Sequence, residues 1–151
     1  MLGAMATGLP EPLESSSFLV EIDGVSTLQC SRVEMPVATV DEVAYRSGSD
    51  KTHEARKQPG LASYSHLALH RGFTADRQLW DWWRQARSND PGVDRSVSVT
   101  MLDGTGQPVA AWSFRNAFPV VHRLTALDAS SSAAVVETLE LTFDTMDLDV
   151  H

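Results

Sequence analysis

The chain has 151 residues, enough for one domain built around one hydrophobic core. Hydrophobic residues make up 42% and charged residues 21%, near the averages of soluble globular domains, which argues against global disorder. A formal net charge of −8, from 12 Lys and Arg against 20 Asp and Glu, repels a phosphate backbone and disfavours tight nucleic-acid binding, while leaving open a role in which nucleic acid slides past.

Residues 1–17, rich in Gly, Pro and Ser with little apolar pattern, read as a flexible N-terminal arm ahead of a domain over 18–151. Phe18 to Ile22 read as a short strand, Asp23-Gly24 as a hairpin turn, and 25–33 as the returning strand. A further strand is expected over 37–45, with neither face clearly apolar. Residues 46–60 are polar, punctuated by Gly48, Pro59 and Gly60, and carry Arg46, Asp50, Lys51, Glu54, Arg56 and Lys57. That is long for a passive connection, and loops of this length inside a compact domain are usually functional or mobile.

Strand character resumes over 64–70. A helix is expected over 75–87, with Thr74 as N-cap, Asp76 at its positive end, and Leu79, Trp80, Trp83 and Ala86 as the buried stripe. Trp82 falls off that stripe and is expected to meet a partner. Two strands, 95–102 and 109–117, flank the turn-rich Asp103-Gly104-Thr105-Gly106-Gln107-Pro108, and a last strand covers 134–143. In the first, Val97, Val99 and Met101 alternate with Ser96, Ser98 and Thr100; in the last, Leu139, Leu141 and Phe143 alternate with Thr138, Glu140 and Thr142. One helix with about seven strands and no strand-helix repeat predicts a mainly β fold, an antiparallel sandwich or barrel with one flanking helix.

The chemistry-bearing residues do not assemble into a reaction centre. Cys30 is alone, which excludes an intramolecular disulfide and a cysteine-based zinc site. His66 and His70 on a strand stand roughly 13 Å apart, too far to share a metal ion. Gly104-Thr105-Gly106 lacks the following helix and Lys-Ser/Thr pair of a phosphate cradle, and the serine runs lack a nucleophile-elbow setting. Glu137 and Glu140 point to opposite faces of a strand and cannot work as an acid-base pair. No metal, cofactor or catalytic residue is therefore assigned. No apolar run reaches the ~20 residues that a membrane-spanning helix needs, and the N-terminus has no basic-then-apolar leader pattern, so synthesis in the cytoplasm without membrane anchoring is expected.

Several segments, taken in order, resemble the phage tail tube family. They are Phe18-Leu19-Val20-Glu21-Ile22-Asp23-Gly24, Tyr45-Arg46-Ser47-Gly48, Arg56-Lys57-Gln58-Pro59-Gly60-Leu61, Leu67-Ala68-Leu69-His70-Arg71-Gly72, Leu79-Trp80-Asp81-Trp82-Trp83, the run from Pro108 through Trp112, Phe114 and Asn116 to Pro119, and Glu137-Thr138-Leu139-Glu140-Leu141. The resemblance covers about residues 18–148. It departs at Gln58, where an apolar residue is usual, at His70, where Lys is common, and at Ser31-Arg32-Val33.

This resemblance implies a structural, non-enzymatic subunit of the inner tube of a contractile phage tail or extracellular injection system. Six copies would form each ring, and stacked rings would give a continuous β-barrel lumen inside a sheath and on a baseplate, conveying DNA or protein cargo. In that setting Ser96, Ser98, Thr100, Thr138, Glu140 and Thr142 are expected to face the channel, and Arg46, Asp50, Lys51, Glu54, Arg56 and Lys57 to form an assembly arm. The competing readings are a small β-sheet binding module that uses the Trp cluster as a ligand platform and an unrecognised hydrolase.

Overall fold

The computed structural model describes residues 17–23, 25–46, 48 and 54–151. Residues 1–16 of the expected N-terminal arm, Gly24 of the first turn, and Asp50 and Lys51 of the assembly arm lie outside these.

Ten strands and one helix are described: β1 (Phe18–Ile22), β2 (Val25–Leu28), β3 (Arg32–Glu34), β4 (Ala38–Tyr45), β5 (Arg56–Tyr64), β6 (Leu67–Gly72), α1 (Gln78–Arg87), β7 (Arg95–Leu102), β8 (Pro108–Leu124), β9 (Val136–Thr142) and β10 (Thr145–Val150). All pairings are antiparallel. The fold is mainly β, as its alternating patterns predict, with a single described helix.

The main sheet runs β2-β1-β7-β8-β9-β6-β3, with β10 also on β8. It is bent into two layers by the 17-residue β8, whose first part pairs with β7 and β10 and whose second part pairs with β9. Layer I therefore holds β2, β1, β7, the start of β8 and β10; layer II holds the end of β8, β9, β6 and β3. The corner sits at Asn116, whose φ of 55° is left-handed, a conformation Asn tolerates better than most residues. Its side-chain amide donates to Asp144 Oδ2 at 2.8 Å, and the Asp144 amide donates to the Arg115 carbonyl at 2.9 Å. Beyond the corner, Pro119 sits where the outer side of β8 has no strand neighbour, a place where its missing N–H costs nothing.

One core fills the space between the layers. Val20, Ile22, Val97, Val99 and Phe114 come from layer I; Leu67, Leu69, Leu139, Leu141 and Phe143 come from layer II; and Leu79 and Trp82 come from α1. Phe143 joins the two ends of this core, edge-on to Phe114 at 4.9 Å and tilted against Tyr64 at 5.2 Å.

Several expected boundaries change. Residues 25–33 are not one strand, because β2 pairs in layer I and β3 crosses to pair with β6 in layer II. The polar stretch 46–60 is not wholly a loop, since Arg56 to Pro59 pair with β4 in a separate two-stranded ribbon and Gly60 continues β5 through a bulge. The helix starts at Gln78, later than expected. Ala75 has a φ of 64°, Thr74 does not cap, and Asp76 Oδ1 accepts the Gln78 amide at 3.0 Å. The tryptophan assignment also reverses: Trp82 is fully buried, whereas Trp80 is 37% exposed. Burial of Trp82 is possible because its indole N–H donates to the Val93 carbonyl at 2.7 Å, leaving no polar atom unsatisfied.

Candidate assembly surfaces

The ribbon of β4 and β5 leaves the main sheet between β3 and β6. At its root the Val37 amide donates to Ser65 Oγ at 2.7 Å and the Ser65 amide to the Val37 carbonyl at 3.1 Å. Nearly every side chain on it is exposed, including Val40, Val43, Tyr45 and Leu61, the last at 80%. A two-stranded ribbon with no covering layer is marginal in water. The strands approach closely at Gly60, where a Cβ would lie 3.0 Å from Val43 Cγ2 and 3.1 Å from the Asp41 carbonyl, so a side chain there would have to push these neighbours by a few tenths of an ångström. Of the expected arm residues, Arg46 follows β4, Glu54 precedes β5, and Arg56 and Lys57 open β5. Lys57 reaches Glu42 across the ribbon at 3.7 Å, an exposed pair worth ~0–1 kcal/mol.

The outer face of layer I is polar and carries the first expected channel triplet. The register aligns Glu21, Ser98, Ser113 and Asp147 in one row across four strands, and Leu19, Thr100, Ala111 and Asp149 in the next. Ser96 lies beside them, its carbonyl accepting the Asp23 amide. Asp23, Thr27 and Arg115 complete an open polar hollow with Ser96, Ser98 and Ser113.

The second triplet lies on the outer face of layer II, in different surroundings. Thr138 is buried and hydrogen-bonded to His70 Nδ1 at 2.8 Å. Glu140 contacts His66 Nδ1 at 3.2 Å and accepts Arg123 Nη1 at 3.3 Å, while His70 Nε2 faces Glu34 at 3.6 Å. The His66 hydrogen bond, then Arg123, hold the Glu140 carboxyl below its ordinary range. Because both layers pack on one core, the two triplets sit on outer faces directed away from each other.

A third feature was not legible in the sequence. Glu137, fully buried, accepts Arg71 Nε at 2.7 Å on one oxygen and meets His122 Nε2 at 2.7 Å on the other. Arg71 also reaches the Asp76 side chain at 3.3 Å. His122 meets Trp80 edge-on at 5.2 Å, Trp80 stacks on Trp83 at 5.2 Å, and the Arg87 guanidinium lies over Trp83 at 5.4 Å. Trp80 and Trp83 thus stack on one another and under Arg87, while Trp80, 37% exposed, also lines an open hollow with Phe73, His122 and Leu124. Among the described residues no group of three or more His, Cys, Asp or Glu has metal-binding geometry. No helix there is long and apolar enough to cross a membrane.

The described residues thus form a two-layer antiparallel domain with one helix, an exposed ribbon and unpaired strand edges, and such edges are surfaces on which a further chain can pair. The chain belongs to the family of the T4-like virus tail tube protein gp19, whose model matches residues 14–147. It is similar in fold to a chain of the anti-feeding prophage baseplate, with a TM-score of 0.81, 21% identity, and coverage of 94% of this chain and 98% of that one. A chain of the extended sheath-tube complex of the PVC extracellular contractile injection system gives a TM-score of 0.78 at 20% identity, covering 100% and 99%. Hcp1 from Salmonella typhimurium is more distant, with a TM-score of 0.60 at 15% identity over 88% and 85%. No curated protein matches the chain.

Proposed function

We propose that this chain is the repeating subunit of the inner tube of a contractile injection particle or phage tail, with six copies in each ring and rings stacked into a conduit. The observation that carries this reading is the tail-tube family match over nearly the whole domain. The subunit is structural and performs no catalysis. It is made in the cytoplasm, enters an assembled particle, and meets sheath and baseplate proteins outside the tube and DNA or protein cargo inside it.

Of the two polar triplets, we assign Ser96, Ser98 and Thr100 to the channel. One wall cannot turn two opposed faces towards one lumen. Layer I offers a face of small polar side chains and carboxylates, suited to a cargo that must not stick. Thr138, Glu140 and Thr142 then belong to the far side of the wall, where Thr138 and Glu140 are held in hydrogen bonds and ion pairs. The ribbon, with Arg46, Glu54, Arg56 and Lys57 and with Asp50 and Lys51 of the same stretch, is the assembly arm reaching a neighbouring subunit. Its exposed apolar side chains supply affinity, and its charges supply register and rate. Negative-stain microscopy of the purified protein tests the proposal: annular particles or hollow filaments are expected, and a protein that stays monomeric over a wide concentration range would overturn it.

A further inference from the structure

The arm needs a seat, and the domain carries one. Beside the core, the inner face of layer I also lines an open cavity. Phe18, Met101 and Trp112 from layer I face Val33 and Met35 across a cavity of about 460 Å³, with Arg32 at its rim. None of the lining residues belongs to the ribbon of the same chain, whose Leu61 stands 80% exposed. We propose that this cavity is the socket for the ribbon of a second copy, with Leu61 as the plug. This rests on the tube-subunit reading above and specifies its contact.

Three observations converge on this occupant. The lining is apolar apart from Ser31 and Arg32, matching an aliphatic plug and not a polar ligand. Plug and socket lie on different surfaces of one chain, which makes a head-to-tail contact that repeats from copy to copy and builds rings or filaments instead of closed pairs. The charges also match. Asp41 packs beside Gly60, next to the plug, and lies outside every ion pair of the described residues, whereas Arg32 at the socket carries a side chain 67% exposed. Arg32 points to the outer face of layer II beside His70, so with Leu61 seated it meets this carboxylate by turning across the edge strand β3. The Arg32 side chain now reaches Glu34 at 2.7 Å on the surface, an exposed pair that costs little to exchange.

Disulfide trapping in assembled particles tests the contact. In a Cys30→Ser background, Leu61→Cys combined with Met35→Cys should give, on mild oxidation, a ladder of covalent oligomers on a non-reducing gel, while each single-cysteine variant gives none. Both substituted positions are exposed, so the monomer should melt as the parent does. Particles that form normally but yield no ladder would overturn the socket while leaving the tube reading intact; a parent protein that never assembles would overturn both. As a second readout, Asp41→Arg should lower the assembled fraction at least ten-fold, and adding Arg32→Asp should restore most of it. Failure of Asp41→Arg to change assembly would also overturn the proposal.

Discussion

At the scale of single residues, the helix shows what spacing decides and what it leaves open. Leu79, Trp83 and Ala86 are compatible with a stripe that includes either Trp80 or Trp82, since the two lie on opposite flanks of Leu79 and Trp83. The choice rests on partners distant in sequence: the Val93 carbonyl takes the Trp82 N–H, and the Arg95 guanidinium covers its ring at 5.0 Å. Neither is visible within the helix sequence, so the periodicity marked the helix but not its buried tryptophan. Trp82→Ala should cost ~3–5 kcal/mol as a large-to-small core change. Trp80→Ala loses mainly its stack on Trp83, about 1 kcal/mol. Denaturant titration of the monomer measures both, and equal losses would refute this assignment of the two rings.

The buried carboxylate is the other residue-scale test. Glu137→Ala leaves Arg71 and His122 facing an empty site, and removing one partner of such a buried pair costs ~3–5 kcal/mol. Glu140 acts through pH instead. Its folded-state pKa is depressed, so its contribution to stability is complete above the ordinary carboxylate range and is lost as pH falls through the lowered value. Thermal melts of Glu140→Gln across the acid range should therefore show a shallower loss of stability than the parent; an unchanged slope would mean that the His66 and Arg123 contacts contribute nothing. Cys30 is half-buried, and burial pushes its thiol up to about 12, so thiol reagents at mildly alkaline pH should leave it unmodified in the native protein.

At the scale of elements, the strands with strict alternation were legible because one face of each packs on the core. Val97 and Val99 are buried and Ser96 and Ser98 are not, as the period of two requires. The turn after β7 was legible too: Asp103 Oδ1 accepts the Thr105 and Gln107 amides, and Gly106 takes a φ of 84°. The length of β8 was not legible, because its corner is a change of partner strand marked by one asparagine and a bulge. Residues 56–60 also hid their strand, since a ribbon exposed on both faces has no apolar alternation to betray it. Asn116→Gly keeps the left-handed corner available and should be mild, whereas Asn116→Val should cost about 1–2 kcal/mol in backbone strain alone. Thermal denaturation separates the two, and equal melting would show that the corner does not depend on that residue. In the ribbon, Arg56→Glu with Lys57→Glu should leave monomer stability within ~0.5 kcal/mol while slowing assembly and altering its salt dependence. Normal assembly kinetics at low and high salt would remove the charges from the arm.

At the scale of the whole molecule, the sequence carried the class of fold and the family, because ordered segments along nearly the full domain bear the resemblance. It could not carry which polar face looks inward, since alternation gives each strand an outer side without relating the outer sides of two layers. That relation depends on the bend in β8, and the bend separates Ser98 from Glu140 across the core. A reconstruction of assembled particles by cryo-electron microscopy tests the central claim most directly. A hollow tube is expected, with Ser98 and Ser113 on the channel wall and the ribbon of each subunit seated on a neighbour. A chain that remains monomeric at high concentration, or a tube whose channel is lined by Glu140 and Arg123 with Ser98 turned outward, would contradict it.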